Sequence, residues 1–120
     1  MLPPREAVLL RAFVVAADQV EGHALYRAIV DAAKAAGLAG ATVLHGPLSF
    51  GPGRRMNDEL IVDAPHKLPV VVEIVDEEDR IQGFLPRLEQ LIPSGLVTLE
   101  GVRMLRCGRQ TLEASPSHRP

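Results

Sequence analysis

Cysteine is almost absent from this chain of 120 residues, since Cys107 is the single example. An internal disulfide and a cysteine-based zinc site are therefore excluded. The thiol is interpreted as incidental, because no activating partner is evident near it in the sequence. Histidine offers no metal site either, because no pair has the spacing of helical metal ligands. The four histidines are His23, His45, His66 and His118.

A surplus of charge and a long apolar run are also missing. Thirteen basic side chains stand against 15 acidic ones, and the formal net charge is -2. This balance argues against a surface that holds a polyanion, so no nucleic-acid partner is predicted. No stretch approaches the length of a membrane span, and the first residues lack a charged segment followed by an apolar one. A cytoplasmic protein is the expectation.

What the chain does contain is typical of one globular domain. Hydrophobic residues make up 47% and charged residues 23% of the sequence, which excludes disorder for the whole chain. The length is sufficient for one core without disulfides or metals. We predict one domain over residues 7–109, followed by a disordered tail over 110–120 that is polar and rich in proline and serine.

Hydrophobic periodicity predicts four strands and two helices. In chain order these are a strand Ala7–Ala16, a helix Ala24–Ala36, a strand Ala41–His45, a strand Leu68–Val75, a helix from Asp76 to Ile92 and a strand Leu96–Arg106. Gly37 is placed where a helix C-terminal cap belongs. Pro86 should kink the second helix or divide it into two pieces. Gly101 is expected to interrupt the last strand.

This order repeats a strand, helix, strand unit once, with a long excursion at Ser49–Pro65 after the second strand. Right-handed crossovers then predict an α+β, ferredoxin-like βαββαβ fold. Both helices lie on one face of a four-stranded antiparallel sheet in this arrangement. Alternate residues of the first strand are apolar on both faces, so the face away from the helices predicts a homo-oligomer.

Arg11 and Glu73 are charged residues within otherwise apolar strands, and the predicted topology makes those strands neighbours. Buried or half-buried charges need partners whether or not they do chemistry. The two residues are therefore interpreted as a structural ion pair at a subunit interface rather than as catalytic groups.

The most suggestive segment for ligand binding is Gly46–Arg55, which combines glycines with the adjacent Arg54 and Arg55. Glycines let backbone amides approach an anion, and guanidinium groups bind phosphate or carboxylate as a fork. The segment matches neither the Walker A pattern nor the dinucleotide fingerprint, so a plain loop is an equal alternative. Arg103 and Arg106 add positive potential if the last strand ends near this loop.

Several segments together resemble an uncharacterised PII-like family, domain of unknown function one-ninety, from Leu9 to Arg106. They are Glu21–Val30, Ala35–Gly46, Phe50–Gly51, Leu68–Asp76, Phe84–Pro86 and Gly95–Glu100. The resemblance implies a trimer of ferredoxin-like subunits, with a regulatory loop after the second strand and small-molecule sites between subunits. Phe50 and Gly51 resemble the start of that loop. Ile92–Val97 occupies the place of a phosphate-binding segment and has no lysine.

The resemblance favours a signalling protein that is not an enzyme. Members of this family often occur beside fluoride-channel-type membrane proteins, which implies a membrane transport protein as partner. The expected ligand is a small anion or a nucleotide, and the predicted ligand-binding residues are Gly46, Phe50, Gly51, Gly53, Arg54, Arg55, Arg103 and Arg106. Two alternatives stay open: a small cleft enzyme that uses His45 with Arg54 or Arg55, and a scaffold without a ligand.

Overall fold

A four-stranded sheet and two helices account for most of the regular structure in the described residues. The computed structural model describes residues 3–46 and 68–108. Its elements are β1 (Arg5–Val15), β2 (Gln19–Val20), β3 (His23–Ala24), α1 (Leu25–Ala35), β4 (Thr42–His45), β5 (Pro69–Asp76), α2 (Glu78–Leu91) and β6 (Leu96–Met104).

The main sheet has the strand order β4-β5-β1-β6, and every neighbouring pair is antiparallel. It follows that β1 and β4 are parallel to each other and are joined through α1, while β5 and β6 are parallel and joined through α2. This is the ferredoxin-like βαββαβ arrangement, so the predicted fold is confirmed.

The hydrophobic core lies between the sheet and the helices. On β1 the residues of even number, Val8, Leu10, Ala12 and Val14, are buried and belong to the core. Val70, Val72 and Ile74 continue this layer on β5. The helices cover it with the apolar side chains Leu25, Ile29, Ala32, Ala33, Ile81, Phe84, Leu88 and Leu91. The residues of odd number on β1 therefore lie on the opposite, open face.

Helix α1 ends in a Schellman motif. The amide of Gly37 donates to the carbonyl of Lys34 at 3.0 Å, and the amide of Leu38 donates to that of Ala33 at 3.1 Å. Gly37 has a φ of 77°, which favours glycine because it lacks a Cβ. The predicted cap is confirmed.

A small hairpin between β1 and α1 was not predicted from the sequence. Strands β2 and β3 pair across Glu21 and Gly22, whose φ angles are 51° and 80°. Positive φ at both central residues is the mark of a type I′ turn. Glu21 and Gly22 therefore form the turn of this hairpin.

Three expectations about the second half are wrong: a division of the second helix at Pro86, an interruption of the last strand at Gly101 and a helix start at Asp76. Helix α2 runs without a break through Pro86, and Gly101 lies inside β6, directly opposite Val8. Pro86 is exposed on the surface of α2, where water can bond the carbonyl of Gln82 that the missing N–H leaves without its helical donor. Gly101 continues the ladder because an isolated glycine weakens a strand without ending it. Asp76 is the last residue of β5 rather than the start of α2.

The predicted excursion at Ser49–Pro65 and the predicted tail over 110–120 lie outside the described residues. Across residues 3–46 and 68–108, neither helix combines the length and hydrophobicity that crossing a bilayer requires.

Candidate ligand site and open sheet face

Gly46 directly follows β4 and lies against the first residue of β5. Its amide donates to the carbonyl of Pro69 at 2.9 Å. A Cβ at Gly46 would come within 3.1 Å of Cγ of Pro69, which is closer than most real contacts. This close approach explains a glycine at the position where the chain leaves the sheet.

Gly95 marks the same end of the sheet. A Cβ there would lie 3.2 Å from the carbonyl oxygen of Phe13 and 3.1 Å from Cγ2 of Ile92. Phe13 pairs with Val71, which in turn pairs with Leu44, two residues before Gly46. The segment Ile92–Val97 and the start of the predicted ligand-binding segment therefore lie at one end of the sheet.

His45, the histidine of the enzyme alternative, packs edge-on against an aromatic ring. The ring centroids of His45 and Tyr26 lie 5.8 Å apart at an interplanar angle of 82°. In the parts of the chain that the structure describes, no group of three His, Cys, Asp or Glu residues could hold a metal ion. This contact links His45 at the end of β4 to α1, while the His45 side chain stays exposed. Arg54 and Arg55, its supposed partners in catalysis, lie outside the described residues.

Arg103 lies at the opposite end of the sheet from Gly46. It pairs with Glu6 near the start of β1, whereas Leu96 pairs with Phe13 near the other end. Arg103 is seven residues after Leu96 along β6, which corresponds to about 23 Å. Arg106 follows two residues after the end of β6. Within one subunit, β6 begins near Gly46 instead of ending there, so Arg103 and Arg106 do not meet this residue.

The remaining predicted ligand-binding residues, Phe50, Gly51, Gly53, Arg54 and Arg55, lie outside the described residues. Of the eight positions, the structure therefore places Gly46, Arg103 and Arg106, and it separates the first from the other two.

The open face of the sheet carries a row of apolar side chains next to a row of polar ones. One row, named here the apolar row, crosses all four strands in register as Leu44, Val71, Phe13 and Leu96. Three of its members are among the large hydrophobic residues that remain exposed: Phe13, Leu44 and Leu96. The next row, named the polar row, consists of Thr42, Glu73, Arg11 and Thr98. The apolar row lies nearer to Gly46.

An ionic triad is centred on the polar row. Nε of Arg11 lies 2.9 Å from a carboxylate oxygen of Glu73, and an Nη atom lies 3.2 Å from a carboxylate oxygen of Glu100. The hydrogen bond to Glu73 raises the pKa of Arg11, with a further contribution from Glu100. The predicted Arg11–Glu73 pair is confirmed. Two carboxylates share one guanidinium, which leaves one surplus negative charge on the open face.

Two charged residues with defined hydrogen-bond partners, Glu100 and Asp76, were not predicted from the sequence to have them. Glu100 lies two residues after Thr98, so strand alternation along β6 could have placed it on the face of Arg11. Asp76 is buried and accepts hydrogen bonds from two backbone amides. The sequence predicted that Asp76 begins the second helix, and this placement hid its role at the end of β5.

The fold defines a class before any relative is considered: a ferredoxin-like sheet with both helices on one face and a long connection after the second main strand. The model of the DUF190 family, described as an uncharacterized ACR, matches residues 7–104. The chain belongs to this family.

Curated relatives extend over most of the chain. A UPF0166 protein of Aquifex aeolicus (strain VF5) is 36% identical over 97 residues, which is 81% of this chain and 91% of that protein. A UPF0166 protein of Methanocaldococcus jannaschii is 33% identical over 95 residues, which is 78% of this chain and 87% of the relative.

Solved structures place the fold among PII-like proteins. A candidate PII-like signalling protein of Thermus thermophilus superposes with a TM-score of 0.62 at 18% identity, covering 87% of this chain and 94% of its own. CPII of Thiomonas intermedia, solved with ADP and bicarbonate, gives a TM-score of 0.59 at 16% identity, with coverages of 88% and 95%. These likenesses show the fold that the sequence resemblance implied.

Proposed function

We propose that this protein is a PII-like signalling protein, a homotrimer that binds a small anionic ligand, such as a nucleotide, in clefts between its subunits. Binding then alters its contact with a partner, such as a membrane transporter or channel. The observation that carries the proposal is the fold, which is similar to that of CPII, a protein solved with ADP and bicarbonate. Fold alone does not define function, so the residues of this chain must supply the rest.

The separation of the candidate anion-binding groups favours a site between subunits. Gly46 lies two residues beyond the row of Leu44 and Leu96, so about nine residues along the strands, or about 30 Å, separate it from Arg103. A nucleoside diphosphate is too short to contact both. If both groups bind one ligand, a neighbouring subunit must therefore provide one of them.

The open face supplies a surface on which such an assembly can form. The apolar row spans the full width of the sheet, and a single subunit leaves it in water. Most charge in the polar row is neutralised within the subunit, because Arg11 bonds both Glu73 and Glu100. A second copy can therefore cover the apolar row without having to bring an equal opposite charge.

Arg54 and Arg55 are proposed as the anchors of the anion or of an acidic partner surface. Adjacent guanidinium groups form charge-assisted hydrogen bonds with phosphate or carboxylate. Glycines beside them allow the backbone to approach the ligand closely.

Thermal unfolding in the presence of ADP, AMP, bicarbonate and 2-oxoglutarate tests the proposal. A ligand that binds only the folded state raises stability, by about 2.7 kcal/mol at a hundredfold excess over its Kd. We expect at least one of these anions to raise the Tm in a concentration-dependent way. The absence of any shift across the panel would contradict ligand sensing.

Arginine variants then locate the ligand. Replacing both Arg54 and Arg55 with Ala should change the stability of the free protein by no more than about 0.5 kcal/mol, as for surface changes, and should weaken the ligand-dependent shift. Arg103→Ala should weaken it as well. Arg87→Ala is the matched control, because Arg87 is exposed on α2 and belongs to no candidate site. An undiminished shift in the arginine variants would remove these residues as anchors.

A further inference from the structure

Asp76 stands apart from the other charged residues that the structure describes, because it is 5% exposed and points into the helix layer. Its position continues the buried side of β5 after Val70, Val72 and Ile74. A buried carboxylate is costly unless hydrogen bonds and an opposite charge compensate for the lost water. The contacts of Asp76 therefore show which part of the fold this carboxylate stabilises.

Three donors converge on the Asp76 carboxylate. The amide of Ala39 lies 2.9 Å from Oδ2, the amide of Glu77 lies 2.7 Å from Oδ1, and Nε of Arg80 lies 3.2 Å from Oδ2. Arg80 also donates to the carbonyl of Gly37. The turn after α1 is thus bonded twice, at Ala39 by the Asp76 carboxylate and at Gly37 by the Arg80 guanidinium.

This turn leads directly into β4, which is a short strand at the edge of the sheet. Thr42–His45 is an edge strand of four residues that pairs only with β5 within the described sheet, and three of its side chains are exposed. Its far end is fastened where Gly46 donates to the carbonyl of Pro69. Its near end is fastened where Ala39 donates to Asp76. Pro69 and Asp76 are the first and last residues of β5.

We infer that Asp76 is a positioning residue: together with Arg80 it sets the register of β4 on β5 and thereby the place at which Gly46 leaves the sheet. A slip of one residue would turn every side chain of β4 to the other face, removing Leu44 from the apolar row. The inference rests on the proposed function only in that Gly46 belongs to the proposed ligand site.

Amide hydrogen exchange of the free protein, followed by NMR, tests this inference in Asp76→Asn. Loss of the charge should raise the exchange rate of the Ala39 amide by about tenfold or more, as expected for hydrogen bonds to a charged group. The Gly46 amide, at the other end of β4, should rise with it. Amides between β1 and β6 should keep their protection. Asp79→Asn is the matched control, because Asp79 is an exposed acid in the first turn of α2.

Arg80→Gln is the milder variant for the case in which Asp76→Asn does not fold, since the Arg80 side chain is 45% exposed. It should raise exchange at Ala39 and Gly46 in the same pattern. Faster exchange at Ala39 alone would overturn the inference, because the clamp would then be local. An equal rise across the whole sheet would also overturn it, since Asp76 would then act on global stability. These measurements need no ligand, so the absence of a Tm shift with every ligand of the panel would contradict the proposed function without touching this result.

Discussion

The two faces of β1 differ although the same eleven residues build both. One face presents Leu10 and its neighbours to the helices, and this side chain has no exposed surface. The other presents Phe13, which remains 36% exposed, and Arg11, which is held by two carboxylates. Hydrophobicity alone does not distinguish the faces. What distinguishes them is whether the chain itself provides a cover.

The two faces of β1 are therefore expected to serve different processes, the folding of one subunit and the assembly of several. The helix face is completed by α1 and α2, so its residues stabilise the single subunit. The open face is apolar in one row and ionic in the next, a pattern suited to partial cover by another copy. Substitutions on the two faces should therefore affect different measurements.

The largest loss of folding stability is expected from Leu10→Ala. Truncating a fully buried leucine removes its transfer energy and leaves a cavity, which costs about 2–5 kcal/mol. Leu9→Ala, the adjacent position on the open face, is the matched control and should cost clearly less. Urea unfolding at low protein concentration measures both. Equal losses would mean that the open face is covered as fully as the core.

Phe13→Glu should have the largest effect on assembly. It places an unpaired charge in the middle of the apolar row, where a second copy would bury it. The molar mass measured by light scattering at micromolar concentration should fall from about three times the 13.0 kDa of one chain to that of a single chain. Gln82→Glu adds the same charge on the exposed surface of α2 and should leave the assembly intact. A wild-type protein that is already monomeric would end the trimer proposal.

Much of the fold could be predicted because its signals are local. The β-branched run of β5, the helical spacing of Leu25 and Ile29, and the glycine after α1 each indicate one element. The pairing of Arg11 with Glu73 followed from topology once the strands were assigned. The hairpin at Glu21 and Gly22 escaped because strands of two residues have no periodicity to detect.

The candidate site was less predictable because it depends on which ends of the strands meet. The sequence places Arg103 near the end of the last strand, but the strand register decides that it pairs with Glu6, far from Gly46. Burial of Asp76 likewise depends on the turn at Ala39, 37 residues away along the chain. Such contacts arise from tertiary packing, which no local pattern records.

The ionic triad predicts an asymmetric double-mutant cycle. Glu73→Leu should be tolerated, because Arg11 keeps Glu100 at 3.2 Å. Arg11→Leu should lower the Tm further, since it leaves two carboxylates without their shared cation. Adding Glu73→Leu to Arg11→Leu should recover part of that loss in Tm. Each of these Tm changes should be smaller than that of Leu10→Ala, because the side chains of the triad are partly exposed. Strictly additive Tm changes would show that the triad is not coupled.

The smallest expected change, and the only gain in stability, is Gly83→Ala on the outer surface of α2. Gly83 is exposed in the helix interior, and a Cβ there would meet no atom within 4 Å. Alanine restricts the unfolded chain and favours the helix, so the free energy of unfolding should rise by about 0.5–1 kcal/mol. Gly37→Ala is the matched control with the opposite sign, because its φ of 77° strains any residue with a Cβ. Chemical denaturation of both variants gives the two signs directly. A loss of stability in Gly83→Ala would indicate that the outer helix surface is also covered in the assembly, and the division into a closed and an open side of the sheet would then need a third contact surface.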